Sequence, residues 1–241
     1  MSKIWTKEDV IEKLNNIQNK GFISIPNNMY RSDDGIVGQI LEREFGVKEN
    51  NLHLADLGTY ELKGMRNKKN KPNMLTLFHQ TSSAGMSPIE IFNQYGYIRK
   101  SKRSDVMKKK LFTTIRGDKA NKLGFMLHPI EENKIELYHN DRYLSSWDLT
   151  NSKEKIQKVI LSFAETDGKT NSIDEKFHYM KAYLLSNPCN FSHAISNGAV
   201  VMDLCIDQPA DGSKSPHDRG PHFRIPIKKL HYLFENVEEL L

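Results

Sequence analysis

The chain has 241 residues, of which 38% are hydrophobic and 27% are charged, a composition typical of a folded globular protein and not of a disordered one. Apolar runs such as 198–202 are too short to cross a bilayer, and residues 1–9 contain no apolar stretch of the signal-peptide kind. Cys189 and Cys205 show no paired metal-ligand spacing, which favours packed thiols in a reducing cytoplasm. We therefore expect a cytoplasmic protein without a membrane partner. The net charge of +5 and the pI near 9.0 favour an anionic partner.

Two helices are predicted near the start of the chain. Thr6 and Asp9 have the spacing of a capping box, with Asp in place of the usual Glu or Gln, and apolar residues follow at helical spacing. The turn residues 33–35 precede a second amphipathic helix, which is predicted to end near Gly46. Glu42 lies next to the buried positions of this helix, from where its side chain can lean towards the strand that follows.

The rest of the chain predicts strands and short helices, without an internal repeat or a linker between two domains. The strand at 75–79 is predicted to lie in the same sheet as the strand at 61–63. The later elements are predicted as a helix at 88–95, strands at 111–115 and within 124–147 with a turn at 131–133, a helix at 152–158, strands at 159–164, 200–206 and 223–226, a closing helix from 227, and an acidic, solvated helix at 235–241. This order predicts an α/β fold with a mixed central β-sheet flanked by helices, in one domain over residues 1–241.

Asp56, Glu61 and Lys63 form the most informative motif. A strand alternates its side chains between two faces, so Glu61 and Lys63 share a face while Leu62 enters the core. Asp56 precedes Gly58, where the chain can turn and bring a second carboxylate to the same place. Carboxylate oxygens are the ligands that Mg²⁺ prefers, and Mg²⁺ activates water for attack on phosphate. The motif therefore predicts a magnesium-dependent nuclease, although the same charge pattern also occurs on the solvent face of many half-buried strands.

Basic residues are concentrated after this motif, in 63–71, 99–103 and 108–110. Such clusters are often only a solubilising surface. Phosphate contacts supply most of the affinity of DNA-binding proteins, so basic clusters close to a carboxylate pair favour double-stranded DNA as the partner.

A second dense group of polar side chains lies in the loop from His217 to Arg224. Arginine is the commonest reader of guanine and Asp accepts from the cytosine amino group, so Asp218, Arg219 and Arg224 can read base edges. Two alternatives remain open for this loop. One is a zinc site at His217 and His222, and the other is a surface loop held by an ion pair between Asp218 and Arg219.

Two further polar residues stand at strand positions. Asp203 lies within an apolar strand, where an uncompensated carboxylate is costly, so it needs an arginine or a base amino group as its partner. His79 ends the strand at 75–79, where it is either a satisfied polar residue or a general base. The sequence lacks a phosphate-cradling Gly-Lys-Ser/Thr loop, a dinucleotide glycine fingerprint and a Gly-x-Ser-x-Gly elbow.

In order, the segments 35–42, 56–63 and 75–79 resemble the successive motifs of the MutH-like branch of the PD-(D/E)XK nucleases. Within this branch the sequence is similar to the MvaI/BcnI restriction endonucleases, and to their BcnI-like members in particular. The likeness runs from Lys3 to the C-terminus, and ordered matches over a whole chain are far more specific than one short motif. It includes the segments 33–35, 61–66, 107–115, 202–207 and 217–222.

The resemblance implies a type II restriction endonuclease that cuts duplex DNA at a CCNGG-type site, and the BcnI-like members imply CC/SGG, where S is C or G. It implies that Asp56 and Glu61 bind the metal ion and that Lys63 is the catalytic lysine. Glu42 matches the helix glutamate of the MutH pattern. Contacts with the central base pair are implied for two histidines, His79 and His222.

A recognition site of odd length cannot be perfectly symmetric, so two identical half-site readers do not fit it. The resemblance accordingly implies a monomer that nicks the two strands in turn, with a companion DNA methyltransferase as its functional partner. Catalytic residues are then expected within 30–120 and base-reading residues within 200–226, in one lobe or in two that flank a DNA cleft. The residues expected at the outer C·G pairs are Asp203, Asp218, Arg219 and Arg224.

Two alternatives to a restriction endonuclease remain. A mismatch-repair nicking enzyme of the MutH kind would leave single nicks at hemimethylated sites and would be stimulated by a partner protein. A non-catalytic module would bind a DNA sequence without cutting it, and the complete set of Asp56, Glu61 and Lys63 argues against such a module.

Overall fold

The structure is a computed structural model that describes residues 4–47, 55–67, 73–101 and 106–241. The chain divides into two compact units. The first unit contains the described residues within Met1–Lys71, with Glu154–Pro188 and Phe234–Leu241, and the second contains those within Pro72–Lys153 and Cys189–Leu233. No helix in the described ranges is long and apolar enough to cross a membrane. Several residues of the predicted basic clusters and of the family resemblance lie outside the described residues, namely Lys3, Lys68, Lys69, Lys71, Lys102 and Arg103.

The described residues form short helices and many strands. The α-helices are α1 (Lys7–Gln18), α2 (Ile36–Phe45), α3 (Pro88–Tyr95), α4 (Thr150–Lys155) and α5 (Phe191–Ser196), and 3₁₀ segments lie at Asn27–Met29 and Ile227–Tyr232. The strands are β1 (Ile23–Ser24), β2 (Glu61–Arg66), β3 (Met74–His79), β4 (Ala84–Gly85), β5 (Tyr97–Lys100), β6 (Met107–Ile115), β7 (Phe125–Glu131), β8 (Lys134–His139), β9 (Arg142–Asp148), β10 (Lys158–Asp167), β11 (Lys176–Pro188), β12 (Val201–Pro209), β13 (His217–Asp218), β14 (His222–Pro226) and β15 (Phe234–Glu239).

Both helices predicted near the start of the chain are confirmed. α1 begins at a capping box, in which the Thr6 hydroxyl accepts from the backbone N–H of Asp9 and the Asp9 carboxylate accepts from that of Thr6. The apolar face of this helix is buried in the core of the first unit. α2 ends at Gly46, whose φ of 80° is a left-handed conformation that glycine adopts without strain.

The first unit contains a mixed five-stranded sheet in the order β1-β11-β10-β2, and β15 also pairs with β11. β2 and β10 are parallel, with Glu61 opposite Val159, and the other pairs are antiparallel. α2 packs against β2 and α1 packs against β11, so apolar side chains of the two helices and the sheet form one core. The predicted α/β fold with a mixed sheet and flanking helices is confirmed.

The second unit contains two antiparallel sheets. One has the order β3-β14-β12-β6-β5 with β13 paired to β12, and the other has the order β4-β9-β8-β7. Phe78, Phe191 and Phe223 pack in the core of this unit, with ring centroids 5.0 Å apart for Phe78 and Phe223. The predicted turn at 131–133 joins β7 to β8, and the predicted helix at 88–95 is α3.

Two predictions in the middle of the chain differ from the structure. The strand at 75–79 does not join the sheet of 61–63, because β3 pairs with β14 whereas β2 pairs with β10, a strand that follows much later in the chain. The helix predicted at 152–158 is present but lies earlier, as α4, and the Asp148 carboxylate accepts from the backbone N–H and the hydroxyl of Thr150 at its start. Lys158 already belongs to β10.

The acidic C-terminal stretch is a strand and not the predicted helix. β15 pairs with β11, which provides hydrogen-bond partners for the backbone groups on the side of β15 that faces it. Phe234 is buried and the residues after it are exposed, a pattern typical of an edge strand protected by charge. Residues 227–232 form a 3₁₀ segment instead of the predicted closing helix.

Candidate functional site

Asp56 lies in a tight turn directly before β2. The backbone N–H of Gly58 donates to Ala55 O at 3.0 Å, and Gly58 has a φ of 80°, a conformation that side chains disfavour. Asp56 Oδ2 accepts from the backbone N–H of Leu62 at 2.8 Å. The turn predicted at Gly58 is present, and it places the Asp56 carboxylate against the start of the strand.

Glu61 and Lys63 lie on one face of β2 and Leu62 enters the core, as strand alternation predicts. Lys63 Nζ is 2.7 Å from Glu61 Oε1. The Glu61 side chain is only 3% exposed, whereas the Lys63 side chain is 23% exposed and reaches the surface. Glu61 Oε2 is buried and has no hydrogen-bond partner among the described residues. A buried carboxylate oxygen without a donor is costly, and a bound cation would satisfy it.

The two carboxylates also influence each other. Burial, and then the negative charge of Glu61, raise the pKa of the Asp56 carboxyl, while the Leu62 amide and two lysines, Lys63 and Lys155, act in the opposite direction. Two adjacent carboxylates with an unsatisfied oxygen are a donor set that fits a hard divalent cation. The described residues contain no metal-binding group of three or more His, Cys, Asp or Glu side chains. Mg²⁺ keeps several waters and is usually bound by one or two carboxylates, a number that this pair matches.

α2 crosses β2 in close contact. A Cβ at Gly64 would lie 2.7 Å from Val37 O and 2.9 Å from Gly38 Cα, so only glycine fits there without a shift of the backbone. The buried Tyr179 hydroxyl donates to Val37 O at 2.6 Å and holds the helix in place. Glu42 is half-buried one turn after Gly38, with its Oε1 4.0 Å from the position of a Cβ on that glycine. The helix that carries Glu42 is therefore fixed against the strand of the carboxylate–lysine motif.

The fold brings to this site a lysine that no sequence motif marks. Lys155 is the last residue of α4, and the chain then enters β10, the parallel neighbour of β2. Its Nζ is 3.5 Å from Glu61 Oε1, the oxygen that Lys63 also contacts. The contact depends on a strand pairing between distant parts of the chain, so local spacing contains no signal for it.

Arg66, at the end of β2, belongs to a buried ion-pair network. Its Nε and Nη2 donate to Glu175 at 2.7 and 2.8 Å, and its Nη1 donates to Asp34 at 2.6 Å. Nη2 also donates to Asn171 Oδ1 at 2.9 Å, and Glu175 is fully buried. The prediction that the basic cluster 63–71 faces an anionic partner is therefore wrong for Arg66, because its charge is matched inside the protein.

His79 and His222 meet in the second unit, where β3 pairs with β14. Their ring centroids are 4.1 Å apart, with an interplanar angle of 73°. His222 Nε2 lies 2.8 Å, and His79 Nδ1 3.3 Å, from the carbonyl oxygen of Arg219. A carbonyl oxygen can only accept, so each of these ring nitrogens carries a proton. The strand pairing and the loop thus bring the two histidines to a single point.

Asp203 on β12 is buried and is bound by an arginine. Its Oδ2 lies 2.6 Å from Arg224 Nη1, and its Oδ1 accepts from the Thr114 hydroxyl at 2.5 Å. The prediction that this carboxylate needs a partner is confirmed. Arg224 Nε is buried without a partner among the described residues, and 32% of the Arg224 side chain is exposed. Asp203 therefore holds the guanidinium group of Arg224 at Nη1 and fixes its orientation.

Arg219 pairs with Asp207 on β12, so the alternative of an ion pair between Arg219 and Asp218 is wrong. Two guanidinium nitrogens of Arg219 lie 3.4 and 3.5 Å from Asp207 Oδ2, while Asp218 accepts from a backbone N–H of its own loop at 2.8 Å. His217 is exposed on β13. Among the residues that the structure describes, no three His, Cys, Asp or Glu side chains form a metal-binding group, so a zinc site at His217 and His222 lacks a ligand set.

A mixed α/β sheet with Glu61 and Lys63 on one strand, and Asp56 in the turn before it, is an arrangement that suits a metal-dependent nuclease. The sequence profile of the MvaI/BcnI restriction endonuclease family matches residues 11–234, and the chain belongs to this family. It is therefore a type II site-specific deoxyribonuclease, in a family whose enzymes generally use a divalent metal ion.

Two solved structures are similar to this chain over nearly its whole length. One is a complex of restriction endonuclease MvaI with its cognate DNA substrate, with a TM-score of 0.76, 19% identity, and coverage of 98% of this chain and 100% of that chain. The other is MvaI in the absence of DNA, with a TM-score of 0.52, 19% identity, and coverage of 99% and 100%. At this identity the likeness shows the fold, which is PD-(D/E)XK-like. A search of curated proteins gives no match.

Proposed function

We propose that the protein hydrolyses duplex DNA at a CCNGG-type site, cut as CC/SGG, with Mg²⁺ as its metal ion. The observation that carries the metal-dependent chemistry is the buried Glu61 oxygen without a hydrogen-bond partner, next to Asp56 and Lys63, whereas the CC/SGG sequence rests on the family resemblance. In the proposed site the carboxylates of Asp56 and Glu61 hold the ion. When bound, Mg²⁺ supplies a Lewis acid for the phosphate and lowers the pKa of a water molecule.

Lys63 acts on the substrate in this mechanism. Its ammonium group donates a hydrogen bond that orients the attacking water, and its charge stabilises the negative charge that builds on the phosphate oxygens. The strand holds Lys63 and Glu61 on one face, with Lys63 Nζ 2.7 Å from Glu61 Oε1. Glu42, on the helix fixed against β2, is proposed to complete the acidic side of the site.

Base reading is proposed to fall to the second unit. Asp203 orients the planar donor group of Arg224, and this suits bidentate recognition of guanine N7 and O6. The rings of His79 and His222 lie next to each other, which suits contact with a single base pair, the central one of the site. The proposed DNA contacts are His217, Asp203, Asp218, Arg219 and Arg224 towards the outer part of the site, and His79 and His222 at the central pair.

Duplex DNA as the substrate is supported by the similarity to MvaI, whose solved structure contains its cognate DNA substrate. Two identical half-site readers do not fit a recognition site of odd length. We therefore propose a monomer that nicks the two strands in turn. Its functional partner is a DNA methyltransferase that modifies the same sequence in the cytoplasm.

Lys63→Ala tests the proposal. In Ca²⁺ this variant is expected to bind a CCSGG duplex as tightly as the parent protein, while in Mg²⁺ its single-turnover cleavage falls by about 10³-fold. Lys169→Ala removes an exposed lysine of the same unit and is the matched control, expected to cut at the parent rate. Efficient cleavage by Lys63→Ala in Mg²⁺ would contradict the assignment of Lys63 as the catalytic lysine.

A further inference from the structure

We propose that Lys155 is a second catalytic lysine, which contacts the scissile phosphate together with Lys63. The inference rests on the proposed function and deepens it, because it assigns a role to a side chain that no sequence motif marks. It is carried by the position of two ammonium groups at one carboxylate oxygen, Glu61 Oε1.

The distances show that Lys155 is near Glu61 without being firmly bound to it. Hydrogen bonds between an ammonium group and a carboxylate are about 2.7–2.9 Å long. Lys63 Nζ lies within this range at 2.7 Å, whereas Lys155 Nζ lies at 3.5 Å from the same oxygen. With 27% of its side chain exposed, Lys155 keeps donors that a ligand can engage.

The convergence of two lysines on one carboxylate oxygen is less favourable than a single ion pair. One carboxylate oxygen binds one ammonium group well, and a second ammonium group brought to it is repelled by the first. The backbone nevertheless holds Lys155 there. The next residue, Ile156, is fully buried, and β10 pairs in register with β2, placing Val159 opposite Glu61.

The balance of charge identifies the expected ligand. As the protein stands, two carboxylates, Asp56 and Glu61, match two ammonium groups, Lys63 and Lys155. A divalent cation held by the carboxylates gives the site an excess of positive charge. A phosphodiester brings one negative charge, and further charge develops on its oxygens during hydrolysis. With the cation bound, two lysines therefore match the charge of the transition state more closely than the charge of the same site without DNA.

The experiment compares Lys155→Ala with the parent protein, with Lys63→Ala and with Lys153→Ala, which removes a lysine from the same helix. Three quantities are measured: single-turnover cleavage of a CCSGG duplex in Mg²⁺, equilibrium binding of that duplex in Ca²⁺, and thermal unfolding without DNA. We expect Lys155→Ala to cleave about 10²–10³-fold more slowly than the parent, as for the loss of one transition-state donor. Its DNA affinity and unfolding temperature should equal those of the parent, and Lys153→Ala should cleave and bind DNA like the parent.

Two results would overturn the inference. The first is cleavage by Lys155→Ala at the parent rate. The second is a slower cleavage accompanied by equal losses in DNA binding and unfolding temperature, which would make Lys155 only a structural partner of Glu61. The Lys63→Ala variant distinguishes a wrong role for Lys155 from a wrong proposed function. If Lys63→Ala is inactive while Lys155→Ala cuts normally, only the role of Lys155 is lost, whereas active Lys63→Ala contradicts the proposed site itself.

Discussion

Charged side chains are held differently at the Glu61 strand of the first unit and at the loop around Arg219 in the second unit. In the first unit, Glu61 and Arg66 are almost completely buried and their partners lie at fixed positions beside one strand. In the second unit, His217 and Arg219 are exposed around a glycine-containing loop. Stabilising charge in a transition state needs preorganised groups shielded from water, whereas base edges are read by donors and acceptors that DNA can reach. We therefore propose that the chemistry belongs to the first unit and base recognition to the second.

The largest effect expected from this division is at the buried carboxylate. Glu61→Gln removes the negative charge that the proposed cation needs and that Lys63 contacts, so cleavage of a CCSGG duplex should fall by about 10³-fold or more. Single-turnover assays in Mg²⁺ measure this loss. Glu165→Gln changes an exposed glutamate on the neighbouring strand β10 and should cleave like the parent. Equal activity of the two variants would show that Glu61 is not part of the reaction centre.

Stability should depend strongly on the buried network at the other end of β2. Arg66→Ala leaves the fully buried Glu175 without its ion-pair partner, which should lower the free energy of unfolding by about 3–5 kcal/mol. Denaturant titration measures the change. The double variant Arg66→Met with Glu175→Met should recover much of the loss, because it removes both buried charges. A loss below about 1 kcal/mol for Arg66→Ala would mean that the network contributes no more than an exposed ion pair.

In the second unit the expected effect is on discrimination. Asp203→Asn weakens the contact that orients Arg224, so the preference for the cognate site over sites changed at an outer C·G pair should fall by about 1–3 kcal/mol. The ratios of kcat/KM on matched duplexes measure this preference. Asp211→Asn, at an exposed aspartate in the loop after β12, is the control and should leave the ratios unchanged. Unaltered kcat/KM ratios for Asp203→Asn would show that Asp203 and Arg224 do not read the outer base pairs.

The smallest effect is expected at the surface of the first unit. Lys7 Nζ lies 2.5 Å from Glu238 Oε1, but both side chains are well exposed, at 38% and 49%. Solvent screens such pairs, so Glu238→Gln should change the free energy of unfolding by less than about 1 kcal/mol. Denaturant titration at low and high salt checks this value. A loss of stability as large as that of Arg66→Ala would show that the exposed ion pair contributes as much to the free energy of unfolding as the buried one.

Sequence patterns predicted the local parts of the molecule well. The capping box of α1, the glycine at the end of α2 and the turn at Gly58 each depend on a few neighbouring residues, so spacing alone identifies them. The two faces of β2 follow from strand alternation. The need for a partner at Asp203 follows from the cost of a buried charge, and the structure provides Arg224.

The parts that sequence patterns missed depend on contacts between distant segments. β2 pairs with β10 and not with the nearby β3, and this pairing alone brings Lys155 to Glu61. Glu175 becomes the partner of Arg66 in the same way. The C-terminal residues form a strand because β11 offers an edge, although their acidic composition alone favours a solvated helix.

The most direct test of the whole account is digestion of a plasmid that carries defined CCSGG and CCWGG sites, where W is A or T, in Mg²⁺ and in EDTA, followed by sequencing of the ends. We expect double-strand cuts at CC/SGG in Mg²⁺, nicked plasmid as an intermediate, and no cleavage in EDTA. Cuts at CCWGG sites would contradict the central base assignment. Single nicks confined to hemimethylated sites, or binding without cleavage in Mg²⁺, would contradict the central claim that the protein cuts both strands of duplex DNA.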